Sequence, residues 1–444
     1  MCKDPHNHPR IVDLQDYLSG CTCEQEHPAP EVTLYRGADA CQVLARDCRA
    51  IYQDQPVLLL FDPDTYAVAG AELQQCLIAE NVNLTTYQFD SHPVATDTLI
   101  ATVSALIHAS VLIISVGSGT VNDLGKYSSS EAKIDFWSVP TAPSMNGYTS
   151  GIAAIKVKGV KRTLPATPPQ RLYVLPEVIQ QAPLKLRQAG FCDVLAKVVS
   201  DIDWQCESLL FSGGYCGLPA TMMAGVEKSY SEHPEEIGRG DESAVMGLFN
   251  GLLLSGVAMS LAGSSAPASG GEHLVSHFWD MREAITGREP ELHGLQVGAG
   301  IILSTACYQR LRQLDSAALQ PQADRIFAAT AAQIPVIWGP YAAEVDKQFQ
   351  NKRELLKQFD HLLPQKWEEL QSLFQQVPSP EYFAALFART GAPFNLDAFR
   401  LTEEEFTLAA LNGRAIRERI TVLDLAANAG VLEAATEDAL QLLR

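Results

Sequence analysis

Four residues stand out because their side chains and spacing could hold a metal ion beside a reacting substrate. They are Asp193 in "AGFCDVLAK", His273 and His277 in "SGGEHLVSHFWDM", and His293 in "ELHGLQVGAG". Each lies among small or apolar neighbours. His273 and His277 are four residues apart, so on a helix they share one face. His293 precedes a glycine, which admits close approach. One carboxylate and two imidazoles form an open three-donor site, leaving positions for substrate oxygens as catalytic metals require. The plainer alternatives are a hydrogen-bonded core or surface histidine and, for Asp193, a helix cap.

A second set of residues has the character of a nucleotide site. The run "VLIISV" leads straight into "GSGTVNDLGKY", where Gly117 and Gly119 flank Ser118. A strand, a tight glycine turn and a helix starting at Thr120 or Val121 are expected there. Such a turn lets backbone approach a pyrophosphate, and unpaired amides at the helix N-terminus supply donors and partial positive charge. The loop is not the G-x-G-x-x-G fingerprint, and a glycine pair after a strand is often only a turn. After the next candidate strand, "IDFWSV", comes "PTAPSMNGYTSG", a loop offering Thr141, Ser144, Asn146, Thr149 and Ser150. In open α/β sheets ligands bind beyond the carboxyl ends of the strands, where both loops should emerge. Asp62, after "PVLLLF", sits where a carboxylate meets ribose hydroxyls; an N-cap in "FDPDTY" is the alternative.

The elements that must position these residues follow from periodicity. Between about 31 and 180, short aliphatic runs alternate with amphipathic stretches, the signature of βα units and a parallel sheet. The candidate strands are "EVTLY", "PVLLLF", "LTTYQF", "VLIISV", "IDFWSV" and "RLYVLP". From about residue 183 onward strand patterns vanish and 3.6-residue periodicity takes over, as in "NKRELLKQFDHLLPQKWEELQSLFQQ". The expected organisation is a polar extension over 1–30, a nucleotide-binding α/β domain over 31–180, and a helical metal and substrate domain over 181–444. The apolar stretch from Gly251 is interrupted by Ser and Gly and reads as a buried helix of that helical domain.

Composition narrows the partners. The chain has 444 residues, 33 basic against 52 acidic, and a net charge of −19. Long-range repulsion of phosphate backbones and anionic lipid argues against nucleic acid and membrane partners. A single phosphate in a locally positive cleft is still compatible with that charge. Ten dispersed cysteines read as reduced thiols, and the first twenty residues lack the pattern of a signal peptide, so a cytoplasmic protein is expected. The first thirty residues are rich in Cys and His: His6, His8, Cys21, Cys23 and His27. They could bind a structural metal, but the "CTC" pair lacks the two-residue spacer of a zinc ribbon or finger, so a loosely ordered extension is the default expectation.

Taken in order, "VGSGTVND", "PTAPSMNGYTSG", "GFCDVLAK", "SGGEHLVSH", "HGLQVG" and "RERITVLDLA" resemble the dehydroquinate synthase and iron-containing alcohol dehydrogenase superfamily. Within it the chain from about residue 31 onward resembles the glycerol-1-phosphate dehydrogenases, especially the bacterial AraM type. The resemblance implies a Rossmann-like cofactor domain followed by an all-α metal domain. By position it puts metal ligands on Asp193, His273 and His293. Cofactor contacts fall on Gly117, Ser118, Gly119, Thr120 and Val121, on Thr141, Ala142, Pro143 and Ser144, and on Ser150, with Asp62 at the ribose. His277 matches a substrate-contacting histidine, and Asp193 is expected to touch substrate too. Asn146 stands where this family commonly has a substrate-contacting aspartate; an amide can hydrogen-bond a hydroxyl but cannot act as a base. Lys197 stands where iron-type alcohol dehydrogenases have a fourth ligand, which argues against a four-ligand iron site. It would instead hold a substrate phosphate, or else be a helix-surface lysine.

The implied reaction interconverts sn-glycerol 1-phosphate and dihydroxyacetone phosphate, with NAD or NADP carrying hydride and one divalent metal, zinc or nickel, as Lewis acid. His277, Asp193 and Asn146 are the residues implied at the chemistry, and a homodimer is expected. The rivals are a polyol dehydrogenase without phosphate preference, a dehydroquinate synthase-like lyase, and a binding protein that has lost turnover.

Overall fold

The computed structural model describes residues 10–12, 14–23, 25–28, 30–107, 109–319 and 322–444. His6 and His8 lie outside the described residues. The chain packs as two compact units. One contains 26–194 and 218–265 with the described residues up to Cys21; the other contains Thr22–Gln25, Leu195–Gly217 and Ala266–Arg444.

The first unit is built on a six-stranded parallel sheet. Its strands are β1 (Thr33–Arg36), β2 (Val57–Phe61), β3 (Leu84–Gln88), β4 (Leu112–Val116), β5 (Asp135–Val139) and, after a hairpin, β8 (Arg171–Val174). Their order across the sheet is β1-β8-β5-β4-β2-β3. All six expected strands are present. Their apolar runs are continuous because both faces are covered. In β2, Val57, Leu59 and Phe61 join the core on one face, with the helices Ala40–Tyr52 and Ala71–Ala79. Leu58 and Leu60 join the core on the other, with Asp97–Ile107 and Gly119–Ala132.

Two features depart from the periodicity reading. A two-stranded antiparallel hairpin, β6 (Ile152–Val157) and β7 (Val160–Pro165), follows the loop after β5. Its turn residues Lys158 and Gly159 both have positive φ, 50° and 80°, the backbone of a tight two-residue hairpin turn. The helix Glu242–Ala262, read as part of the helical domain, packs with the sheet instead. Its Val245, Met246, Phe249 and Leu253 share a core with Leu172 and Val174 of β8 and with Tyr148. It is long and apolar enough to cross a membrane, but its most apolar window is 89% buried by the protein itself.

The second unit is helical among its described residues. Its centre is the helix His293–Arg312, with a continuous buried run from Gly294 to Tyr308. A Cβ on Gly300 would come within 2.3 Å of the Glu272 carbonyl, so this glycine sets how closely the helix Gly271–Thr286 lies alongside.

Candidate active site

β2, β4 and β5 are neighbours in the sheet, and each ends in a segment carrying predicted site residues. After β4 the chain turns through Gly117 and Ser118 into the helix Gly119–Ala132, one residue earlier than the sequence suggested. A Cβ on Gly117 would lie 2.7 Å from that of Val121, so the turn closes only with glycine there. A Cβ on Gly119 would meet nothing nearer than Met145 Cγ at 3.9 Å. Ser118, the extended N-cap, makes no side-chain cap bond, which leaves first-turn amides to serve an anion. Its hydroxyl instead lies 2.8 Å from Ser144 Oγ in the loop after β5. At the end of β2, Asp62 is an N-cap, accepting from Thr65 N at 2.8 Å while Thr65 Oγ1 accepts from Asp62 N at 3.0 Å. The capping geometry proposed as the alternative is therefore real, and it uses Oδ1 of the carboxylate.

The loop after β5 is wedged in place from several sides. A Cβ on Gly190 would fall 1.8 Å from Pro143 O, and one on Gly256 would fall 2.2 Å from Thr149 Oγ1 and 2.7 Å from Asn146 O. At these two points the helices Leu184–Leu195 and Glu242–Ala262 approach the loop backbone through glycines. Tyr148 OH donates to Ala142 O at 2.7 Å, and Ser260 Oγ donates to Thr149 O at 3.1 Å. The fully buried Lys126 donates to Gly147 O at 2.7 Å and Ser150 Oγ at 3.3 Å, and pairs with Asp123 at 3.2 Å. Burial lowers its pKa, and the Asp123 carboxylate opposes that shift. Asp193, 1% exposed, lies within the last turn of its helix rather than capping it, and Oδ2 accepts from Asn146 N at 2.8 Å. The Asn146 side-chain Nδ2 is buried with no hydrogen-bond partner among the described residues.

In the second unit the three predicted histidines form one cluster. His273 and His277 are a turn apart on the helix Gly271–Thr286, and His293 opens the helix His293–Arg312. Ring centroids are 5.1 Å apart for His273 and His293, 5.5 Å for His277 and His293, and 6.0 Å for His273 and His277. His273 Nδ1 lies 2.8 Å from Glu272 Oε1, and His293 Nδ1 lies 2.8 Å from Ser276 Oγ. With Nδ1 as donor on both rings, each Nε2 keeps a lone pair for a metal, the tautomer that outer partners usually enforce on ligating histidines. Asp280 Oδ2 lies 4.0 Å from Nδ1 of both His277 and His293. Lys197 is the first residue of the helix Lys197–Phe211 and half-buried.

Behind the cluster is a buried acidic pair that spacing did not single out. Glu272 is fully buried, and Oε1 also accepts from Gly270 N at 2.7 Å. Asp203 accepts from Gly271 N and Val422 N, both at 2.7 Å, and from Tyr308 OH. Burial, and then the Glu272 charge, push its carboxyl up to about 7. Glu272 lay inside "SGGEHLVSH", so its motif was visible; its role needed the helix geometry.

Comparison with known proteins gives a consistent picture. Residues 37–183 match the model of the iron-containing alcohol dehydrogenase family. The chain is 31% identical over 353 residues to the glycerol-1-phosphate dehydrogenase (NAD(P)+) of Geobacillus thermodenitrificans, covering 76% of this chain and 78% of that one. The Bacillus subtilis protein of the same name is 28% identical over 376 residues, covering 83% and 84%. Among solved structures, glycerol dehydrogenase from Schizosaccharomyces pombe superposes with a TM-score of 0.60 at 15% identity, over 95% of this chain and 92% of that one, a likeness of fold.

Proposed function

The chain belongs to the glycerol-1-phosphate dehydrogenase family and is an oxidoreductase, and from that premise we propose that it interconverts sn-glycerol 1-phosphate and dihydroxyacetone phosphate with NAD or NADP. The observation that carries the reading is the histidine pair. His273 and His293 are adjacent, and each has its Nδ1 engaged by a neighbour of its own unit. That chemistry fits a divalent metal, zinc or nickel, with Asp193 as the oxygen donor. The glycine turn with its uncapped helix start fits a pyrophosphate, which Gly117 to Val121 would hold. Thr141 to Ser144 and Ser150 would line the nicotinamide side, and the second carboxylate oxygen of Asp62 would accept from ribose.

When bound, the metal supplies a Lewis acid for the substrate oxygen and the nicotinamide supplies the hydride. The chain's own residues bind, orient and move the proton. Asn146 Nδ2 donates to a substrate hydroxyl, replacing the usual carboxylate with a neutral donor. His277, whose Nδ1 lies 4.0 Å from Asp280 Oδ2, exchanges the proton at the substrate oxygen. Lys197 pairs with the phosphate. Holding both reactants in fixed geometry replaces an encounter with an internal step. The enzyme acts in the cytoplasm as a homodimer.

The test is oxidation of NADH and of NADPH with dihydroxyacetone phosphate and, separately, with dihydroxyacetone. Turnover favouring the phosphate ester supports the reading. Equal use of the unphosphorylated ketone would make the protein a polyol dehydrogenase, and no steady turnover with either would point to the lyase or the inactive binder.

A further inference from the structure

The segment "RERITVLDLA" supplies no residue to the chemistry, yet it is bound to the start of the helix that carries His273. Every residue of this junction belongs to the second unit. Arg419 Nη1 donates to the carbonyl of Ser269, two residues before the helix Gly271–Thr286 begins. Ile420 N donates to Glu207 Oε1 at 3.0 Å. Val422 N and Gly271 N donate at 2.7 Å to the two oxygens of Asp203, so one carboxylate ties the segment to the helix start. The fit leaves little room. A Cβ on Gly270 would fall 2.5 Å from Asp203 Oδ2, and one on Gly271 would lie 3.3 Å from Leu423 Cγ and from Val422 Cγ1.

Charge at the junction follows the same residues. Glu272 and Asp203 are both buried. Glu272 Oε1 accepts from Gly270 N at 2.7 Å and faces His273 Nδ1 at 2.8 Å, whereas Oε2 is buried with no hydrogen-bond partner among the described residues. Burial lowers the pKa of Arg419, and the carboxylates of Glu207, Glu272 and Asp203, in that order, oppose the shift. Arg419 is thus a cation that these three carboxylates share.

We propose that Arg419 is a positioning residue for metal binding: by fixing the Ser269 carbonyl and balancing Glu272, it holds His273 in the orientation a divalent ion requires. The inference rests on His273 being a metal ligand. Without Arg419, the Ser269 carbonyl loses its donor and Glu272 keeps a buried charge with less compensation, so the first turn of the helix relaxes away from its present place. Loss of an outer partner of a ligating histidine lowers metal affinity about ten- to a hundredfold, and Arg419, one group further out, accounts for about tenfold. Charge acting through space has the opposite sign, because removing a cation favours a bound metal ion. The direction of the change therefore separates positioning from simple electrostatics.

The full chain, Arg419→Met, Arg419→Lys and His273→Ala are stripped of metal and titrated with zinc against a chromophoric chelator, with urea unfolding of each metal-free protein measured in parallel. The quantity compared is the affinity of the zinc equivalent that His273→Ala loses. The expected result is binding about tenfold weaker in Arg419→Met, with part of the loss recovered in Arg419→Lys, which keeps a cationic donor for Ser269 O but not the planar fork. A merely structural arginine would lower the urea midpoint and leave that affinity where it was. Unchanged or tighter zinc binding in a folded Arg419→Met protein overturns the proposal. If Arg419→Met fails to fold, Arg419→Lys decides, and affinity equal to that of the unaltered chain overturns it. Zinc binding that His273→Ala leaves intact would remove the ligand reading itself, and the proposal with it, whereas His273-dependent binding that ignores Arg419 removes the proposal alone.

Discussion

Substituting Gly190 by alanine tests whether the loop after β5 is placed by the helix beneath it. The added methyl would lie 1.8 Å from Pro143 O, 2.7 Å from Pro143 C and 3.0 Å from Leu252 Cδ1. Backbone cannot yield as a flexible side chain does, so helix and loop must part by more than about 1 Å. Overpacking of this kind costs about 1–3 kcal/mol of stability. The functional effect should be larger than that loss implies, because the displaced segment carries Thr141 to Ser144 and leads into Asn146. A misplacement of about 1 Å at a positioning element can lower the rate about a hundredfold. The assay is kcat/KM for dihydroxyacetone phosphate with saturating NADPH or NADH, at a temperature where urea denaturation shows the variant folded. The expected outcome is a fall of about two orders of magnitude with a native fold. A folded Gly190→Ala enzyme within about twofold of wild type would refute the argument that this contact sets the loop.

Glu272→Gln keeps an acceptor for His273 Nδ1 but removes the charge, so metal affinity, measured by competitive chelator titration, should fall about ten- to a hundredfold. Lys126→Met leaves Asp123 without its 3.2 Å partner in a largely buried setting and should cost about 3–5 kcal/mol in urea denaturation, part of which Asp123→Asn in the same chain should restore. Asp203 has its carboxyl raised from an ordinary value of 3.8 to about 7, so the native state holds its proton more tightly than the unfolded chain. The resulting stabilisation is complete below about pH 4 and is lost as pH rises to about 7, on the order of a few kcal/mol. In Asp203→Asn that slope should disappear from stability measured across this range, even though the variant is less stable throughout.

How much could be read from the sequence depended on whether the signal was local. The six parallel strands were legible because strands covered on both faces are unbroken aliphatic runs, as "VLLLF" and "LIISV" are. The hairpin after β5 was missed although "KVKGVK" carries its turn in Lys158 and Gly159, because its strands mix lysine with short apolar residues. The helix Glu242–Ala262 is apolar around its whole circumference, so no stripe tells which neighbour it seeks, and the sheet claims it. "NKRELLKQFDHLLPQKWEELQSLFQQ" reads as one continuous period but is two helices, Ala342–Leu356 and Phe359–Phe374. In the site, Gly117 was legible because strand, glycine and helix are contiguous. Gly190 and Gly256 were not, since each is required by a backbone far away in sequence. Glu272 precedes the ligand candidate His273, yet only a helix turn with its backbone packed against Gly300 shows the carboxylate reaching that ring.

The measurement that bears most directly on the central claim is NAD(P)H oxidation by dihydroxyacetone phosphate with enzyme stripped of metal and then reloaded with zinc or nickel, for the wild-type chain and for Asp193→Asn and His273→Ala. The expected result is no turnover in the stripped enzyme, recovery on reloading the wild type, and no recovery in either variant at metal concentrations that saturate the wild type. Turnover that survives stripping, or that returns in both variants, would contradict it.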